Sequence, residues 1–123
     1  MRKSQVKTFP TERLVEEFRR LSAEREHALE AANPRAANRK YDTLVAIRHE
    51  LRSRGPEAQR QLLKLLADPE PSTRCFTASS VLELAPNEAE QVLEELVRTQ
   101  IGIIRFTARM TLEQWRAGTF NPP

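Results

Sequence analysis

The octet FTASSVLE at residues 76–83 returns as FTARMTLE at residues 106–113, thirty positions later. Laying Pro56–Leu84 over Pro86–Gln114 extends the match without a gap. Pro56/Pro86, Gln61/Gln91, Leu63/Leu93, Leu66/Leu96, Phe76/Phe106, Thr77/Thr107, Ala78/Ala108, Leu82/Leu112 and Glu83/Glu113 are identical. Short amphipathic helices share Leu and Ala by chance, but chance does not readily hold two prolines and an FTA triplet at one offset. A unit of this length is a helical hairpin, which cannot bury its own apolar face and so stacks on a neighbouring copy. Small Ala in the phrase lets helices approach, and Phe fills the gap between layers. Phe76 and Phe106 are therefore expected to be equivalent buried side chains.

The rest of the chain punctuates itself in the same way. A leader at 1–8 carries Arg2, Lys3 and Lys7 and is expected to fray. Helix 1 then runs to about Ala31, capped by Thr11 or by Thr8 with Pro10 just inside, and Leu14, Phe18, Leu21, Ala28, Leu29 and Ala32 form its apolar stripe. Asn33-Pro34 breaks it. Helix 2 runs from about Arg35 to Arg54, burying Ala37, Tyr41, Leu44, Ile47 and Leu51, with Gly55 as its stop. Beyond Gly55-Pro56, QLLKLLA makes a compact third helix and DPEP at 68–71 forces a turn. STRCFTASSVLELA makes a fourth, ended by Ala85-Pro86, and NEAEQVLEELVR a fifth. After a break at Gln100–Gly102, IIRFTARMTLEQWRA makes a sixth, closed by Gly118, and 119–123 is a tail. The expected fold is all-α: one domain over 1–123, with six helices in three antiparallel hairpins at 9–55, 56–85 and 86–118.

Composition removes several functions. With one cysteine, Cys75, no internal disulfide forms and no zinc site is built from thiols; a buried, inert thiol is expected there. His27 and His49 are the only histidines and fall toward opposite ends of the first hairpin, so they share no metal. The three glycines punctuate helices and make no phosphate loop. The carboxylates of helix 1 read as a solvated face, because Glu16 with Arg20, Arg13 with Glu17 and Arg20 with Glu24 stand at the i, i+4 spacing of surface ion pairs. No acid or base has a visible reason for a shifted pKa, and no cofactor, metal or small-molecule substrate is implied. No apolar stretch approaches a membrane span, and no signal peptide opens the chain, which makes the cytoplasm the expected address.

Arg25 breaks the pattern. It falls in the middle of the stripe formed by Leu14, Phe18, Leu21 and Leu29. Either its stem packs while the guanidinium reaches water or an acid of helix 2, or it makes a polar contact in a partner-binding groove. Together with Tyr41 and Arg48 it forms the candidate partner-binding set.

LLKLLADPEPSTRCFTASSVLELAP resembles a HEAT-type repeat, an apolar helix and a turn with Asp and Pro followed by a helix with Arg near its start. The resemblance implies that Asp68 and Arg74 form a structural turn pair. The second copy has Arg98 and Ile104 at those places, which leaves such a ladder incomplete. Over nearly its whole length the chain is similar to short bacterial HEAT-like proteins that form a domain of unknown function. That likeness implies a short right-handed αα superhelix and no particular activity.

Two functions fit. One is an interaction module that binds another protein, with homodimerisation through an exposed end face as a variant. The other is nucleic-acid binding by the basic half, since residues 1–54 hold thirteen Lys/Arg against eight Asp/Glu, and residues 55–123 hold seven against nine. Arg35 and Arg39 project together, but Lys40, Arg48, Arg52 and Arg54 spread around helix 2 with no series of aromatic residues interleaved among them, which favours the protein partner.

Overall fold

The chain turns where its prolines and glycines stand. The computed structural model describes Met1–Pro123, of which 81% is helical and no residue lies in a strand. After a 3-10 helix at Lys3–Thr8 come α1 (Thr11–Glu30), α2 (Pro34–Arg54) and α3 (Pro56–Arg60), which runs on as a 3-10 helix over Gln61–Ala67. The elements α4 (Pro71–Val81), α5 (Pro86–Thr99) and α6 (Gly102–Ala117) follow. Four of the α-helices begin on proline, where the missing N–H has no helical partner to lose. The all-α expectation holds, with seven helical segments in place of six. No helix is long and apolar enough to cross a membrane.

The extra segment corrects the picture of a frayed leader. Val6 is buried, and the Arg2 amide donates to Gln5 Oε1 at 2.9 Å. Arg54, at the end of α2, donates to the Phe9 carbonyl at 2.6 Å and to Thr11 Oγ1 at 3.2 Å. One guanidinium therefore ties the end of α2 to the entry of α1. The N-cap of α1 is Pro10, with no side-chain cap bond, so neither Thr8 nor Thr11 serves as the cap.

The chain forms two compact units, Met1–Leu62 and Leu63–Pro123. In the first, α1 and α2 pack along their length as an antiparallel hairpin. Leu14, Val15, Phe18 and Leu21 meet Ala37, Leu44, Ile47 and Leu51 in its core, each large side chain contributing roughly 1.5–3 kcal/mol on burial. The stripe fades beyond Leu21: Ala28 and Leu29 are half-buried and Ala32 is exposed. Asn33 then starts α2, its Oδ1 accepting the Ala36 amide at 3.2 Å.

In the second unit α4 is buried almost from end to end and packs against α5 and α6. It stops at Val81, four residues before the expected Ala85, with the Ala85 amide bonded to the Val81 carbonyl at 2.8 Å. Pro86 holds Ala85 out of the helical region (φ −140°, ψ 70°), which loosens the turn before it. The helices α5 and α6 run antiparallel, and Gly118 closes α6 in the left-handed conformation (φ 75°), its amide bonded to the Trp115 carbonyl and that of Thr119 to Gln114.

Candidate interaction surface

The repeated phrase keeps its inner face and changes its outer one. Ala78 and Ala108 are buried in both copies, as are Leu82 and Leu112. Phe76 is 9% exposed, whereas Phe106 is 58% exposed. Thr77 is wholly buried, but Thr107 lies open. The expected equivalence of the two phenylalanines is therefore wrong, because identical letters sit in different surroundings.

What replaces the polar members of that face is more telling. At the offset of thirty, Thr73 and Ser80, both buried, become Ile103 and Met110. A solvated helix face gains polar residues; this one gains apolar bulk while losing its cover. Ile101 (85% exposed), Ile103 (43%) and Phe106 are the large apolar side chains that the fold leaves in water. Ile103 and Phe106 share a stripe in the first turns of α6, with half-buried Met110 one turn on from Phe106, and Ile101 stands at the N-cap just before them. Cys75 and Ser79 become Arg105 and Arg109, so exposed cations flank the stripe. Beside it a groove of about 360 Å³ between α5 and α6 is floored by Val97 and Leu112 and edged by Arg98, Arg109, Glu94 and Glu113. Arg116 spans the pair, bonded to Glu90 at 3.2 Å and to Glu94. Sequence reasoning missed Ile101, Ile103 and Phe106 as surface residues; the Thr73/Ile103 and Ser80/Met110 exchanges were the available signal.

The residues singled out from the sequence behave differently from one another. Arg25 lies with its Cζ 5.2 Å from the centre of the Tyr41 ring, a cation–π contact across the first hairpin. Arg48 is buried. Structure thus brings Arg25 and Tyr41 together, and both are only half-covered. Asp68 and Arg74 do meet, through the main chain: Arg74 Nη1 donates to the Asp68 carbonyl at 2.7 Å and the Pro69 carbonyl at 3.1 Å, while Asp68 Oδ2 accepts the Glu70 amide at 3.0 Å. Cys75 is buried, and His27 and His49 are exposed. No three His, Cys, Asp or Glu side chains converge as metal ligands.

The carboxylates of α1 are more than a solvated face. Glu17 is buried and takes Arg20, with Arg13 at 3.5 Å. Glu24 takes Arg20 at 2.6 Å and Lys40 of α2 at 2.9 Å. Glu16 pairs with Arg19 and not with Arg20. Partial burial pushes the Glu24 carboxyl up, but hydrogen bonds from Lys40 and Arg20 outweigh it and hold the group below its ordinary value. Hydrogen bonds to Glu17 and then Glu24 push the Arg20 guanidinium further up.

Comparison with known proteins places this architecture. The family described as Domain of unknown function (DUF2019) matches residues 12–115. Among solved structures, the crystal structure of the protein RPA1889 from Rhodopseudomonas palustris CGA009 is similar to this chain with a TM-score of 0.89 and 28% identity, over 96% of this chain and 98% of that one. No curated protein matches.

Proposed function

This chain belongs to the DUF2019 family, a domain of unknown function, and from that premise we propose that it is a non-catalytic helical-repeat module that binds another protein. The carrying observation is the outer face at the start of α6, where Ile103 and Phe106, whose internal counterparts Thr73 and Phe76 are buried, stand exposed close to exposed Ile101. Exposed apolar surface rimmed by charge marks interaction sites, and covering what remains exposed of these three side chains gives part of the roughly 1.5–3 kcal/mol that full burial of each is worth. Arg105 and Arg109 at the rim favour a partner with acidic residues beside its own apolar contact. The setting proposed for such a face is a HEAT-like right-handed stack of hairpins acting in the cytoplasm, since helical repeats offer extended surfaces for binding.

The test is affinity purification from the native host with nuclease treatment, using the wild type beside Phe106→Asp and Ile103→Asp. Both positions are exposed, so the variants keep their helical circular dichroism. We expect a protein retained by the wild type to be lost from both variants. Identical retained sets would overturn the reading. If the retained species is a second copy of the chain, sedimentation shows a dimer that the same variants dissociate.

A further inference from the structure

A separate feature lies in the N-terminal unit. The first residues of the chain, α1 and α2 border an open cleft of about 430 Å³ whose lining includes Arg2, Lys3, Arg20, Arg39, Lys40 and Asp42. We propose that this cleft is a binding site for a small oligophosphate anion, independent of the α6 surface. Five cationic side chains meet one carboxylate at its walls, with Glu17 and Glu24 standing behind Arg20 and Lys40.

The cations divide into two kinds. Arg20 and Lys40 are fixed in place by Glu17 and Glu24. Of the five guanidinium protons of Arg20, the Nε, Nη1 and Nη2 bonds to those carboxylates use three; of the three ammonium protons of Lys40, the bond to Glu24 uses one. Each therefore keeps two donors for a ligand while its position is already set, which lowers the ordering cost of binding. Arg2, Lys3 and Arg39 are exposed, and none of the ion pairs described above involves them. They supply the unspent charge, Lys3 from the 3-10 helix, Arg2 from its N-cap and Arg39 from α2.

The lining also says what is recognised. Its apolar members are Met1, Leu21 and Ala36, with no aromatic ring on which a base would stack. The cleft's volume lies within the range of small-ligand sites, and its cations line that one open cleft. Clustered phosphate charge is thus the feature read, and a short chain of linked phosphates is the ligand of matching size.

Calorimetry with sodium tripolyphosphate at low ionic strength tests this, with sulfate and a 20-mer single-stranded DNA as comparison probes. The expected result is one site per chain, with tripolyphosphate bound more tightly than sulfate. Arg39→Ala and Lys3→Ala should each weaken it about fivefold, the scale of one partly exposed charge contact. Asp42→Asn removes the opposing carboxylate and should tighten binding about two- to threefold. Three exposed positions are altered, so the fold is retained in each. Tripolyphosphate held no better than sulfate, or affinities unmoved by all three substitutions, would overturn the proposal. So would the oligonucleotide binding more tightly than tripolyphosphate with the same variants weakening it, which assigns the cleft to nucleic acid.

Discussion

At residue scale, the sharpest local exception is Ala32, a non-glycine residue at positive φ (55°). It ends α1 in a Schellman arrangement, its own amide bonded to the Leu29 carbonyl at 3.1 Å and that of Asn33 to Ala28 at 2.8 Å. The bonding pattern asks for glycine, because a Cβ in the left-handed region costs about 1–2 kcal/mol. Glycine's greater freedom in the unfolded chain returns part of that, about 0.4–1 kcal/mol. Ala32→Gly is therefore expected to raise stability by about 0.5–1 kcal/mol, read from the urea unfolding midpoint; an unchanged or lower midpoint would show that the turn is not strained. Arg25 makes the complementary point. Its place on the apolar stripe of α1 was legible as an anomaly, but the contact that resolves it, the Tyr41 ring of α2, depends on how the two helices are rotated against each other. Helical spacing within either helix does not contain that rotation.

At the scale of elements, Phe76→Ala in α4 is expected to cost about 3–5 kcal/mol, the loss for a buried aromatic truncated in a packed core. Phe106→Ala in α6 should stay within about 0.5 kcal/mol, since the side chain is already in water. Parallel thermal melts of the two variants decide it, and equal losses would mean that the α6 face is covered in solution. The hairpin of α1 and α2 carries its own signature in acid. Glu24 is held below its ordinary value by Lys40 and Arg20, so its charged form supports the folded hairpin above the carboxylate range. That support disappears as pH falls through the lowered folded value, so Glu24→Gln should lower stability slightly above about pH 6, with its pH dependence there unchanged, and flatten the acid limb. The effect is small, because the carboxylate is about one-third exposed. Helix ends were the most legible part of this fold: Pro34, Pro56, Pro86 and Gly118 act through their own φ angles and need no tertiary information. The 3-10 helix at Lys3–Thr8 was hidden because its stability rests on burying Val6 and on Arg54, which lies 45 residues from Phe9. The burial of Glu17 was hidden for the same reason, since i, i+4 spacing predicts a pair and says nothing about its depth.

At the scale of the molecule, the modest formal charge of +3 conceals two units of opposite sign. Met1–Leu62 holds fourteen Lys/Arg against nine Asp/Glu, and Leu63–Pro123 holds six against eight. The two proposed surfaces follow that division: a cleft that works by charge in the first unit, and a face that works by apolar contact in the second. Salt acts on these two differently. At about 0.1 M ionic strength charges more than about 10 Å apart are already screened, and further salt weakens the remaining exposed attractions. Apolar contact has no such dependence and strengthens with excluded salts such as sulfate. Raising sodium chloride from about 50 to about 200 mM should therefore weaken tripolyphosphate binding severalfold while leaving retention of the protein partner on the wild-type chain unchanged. The two sets of variants should also be separable, with Phe106→Asp losing the partner but not tripolyphosphate, and Arg39→Ala the reverse. If partner retention also falls steeply with salt, the Arg105 and Arg109 rim carries that interaction more than Phe106 does, and the apolar stripe of α6 is the edge of the contact and not its centre.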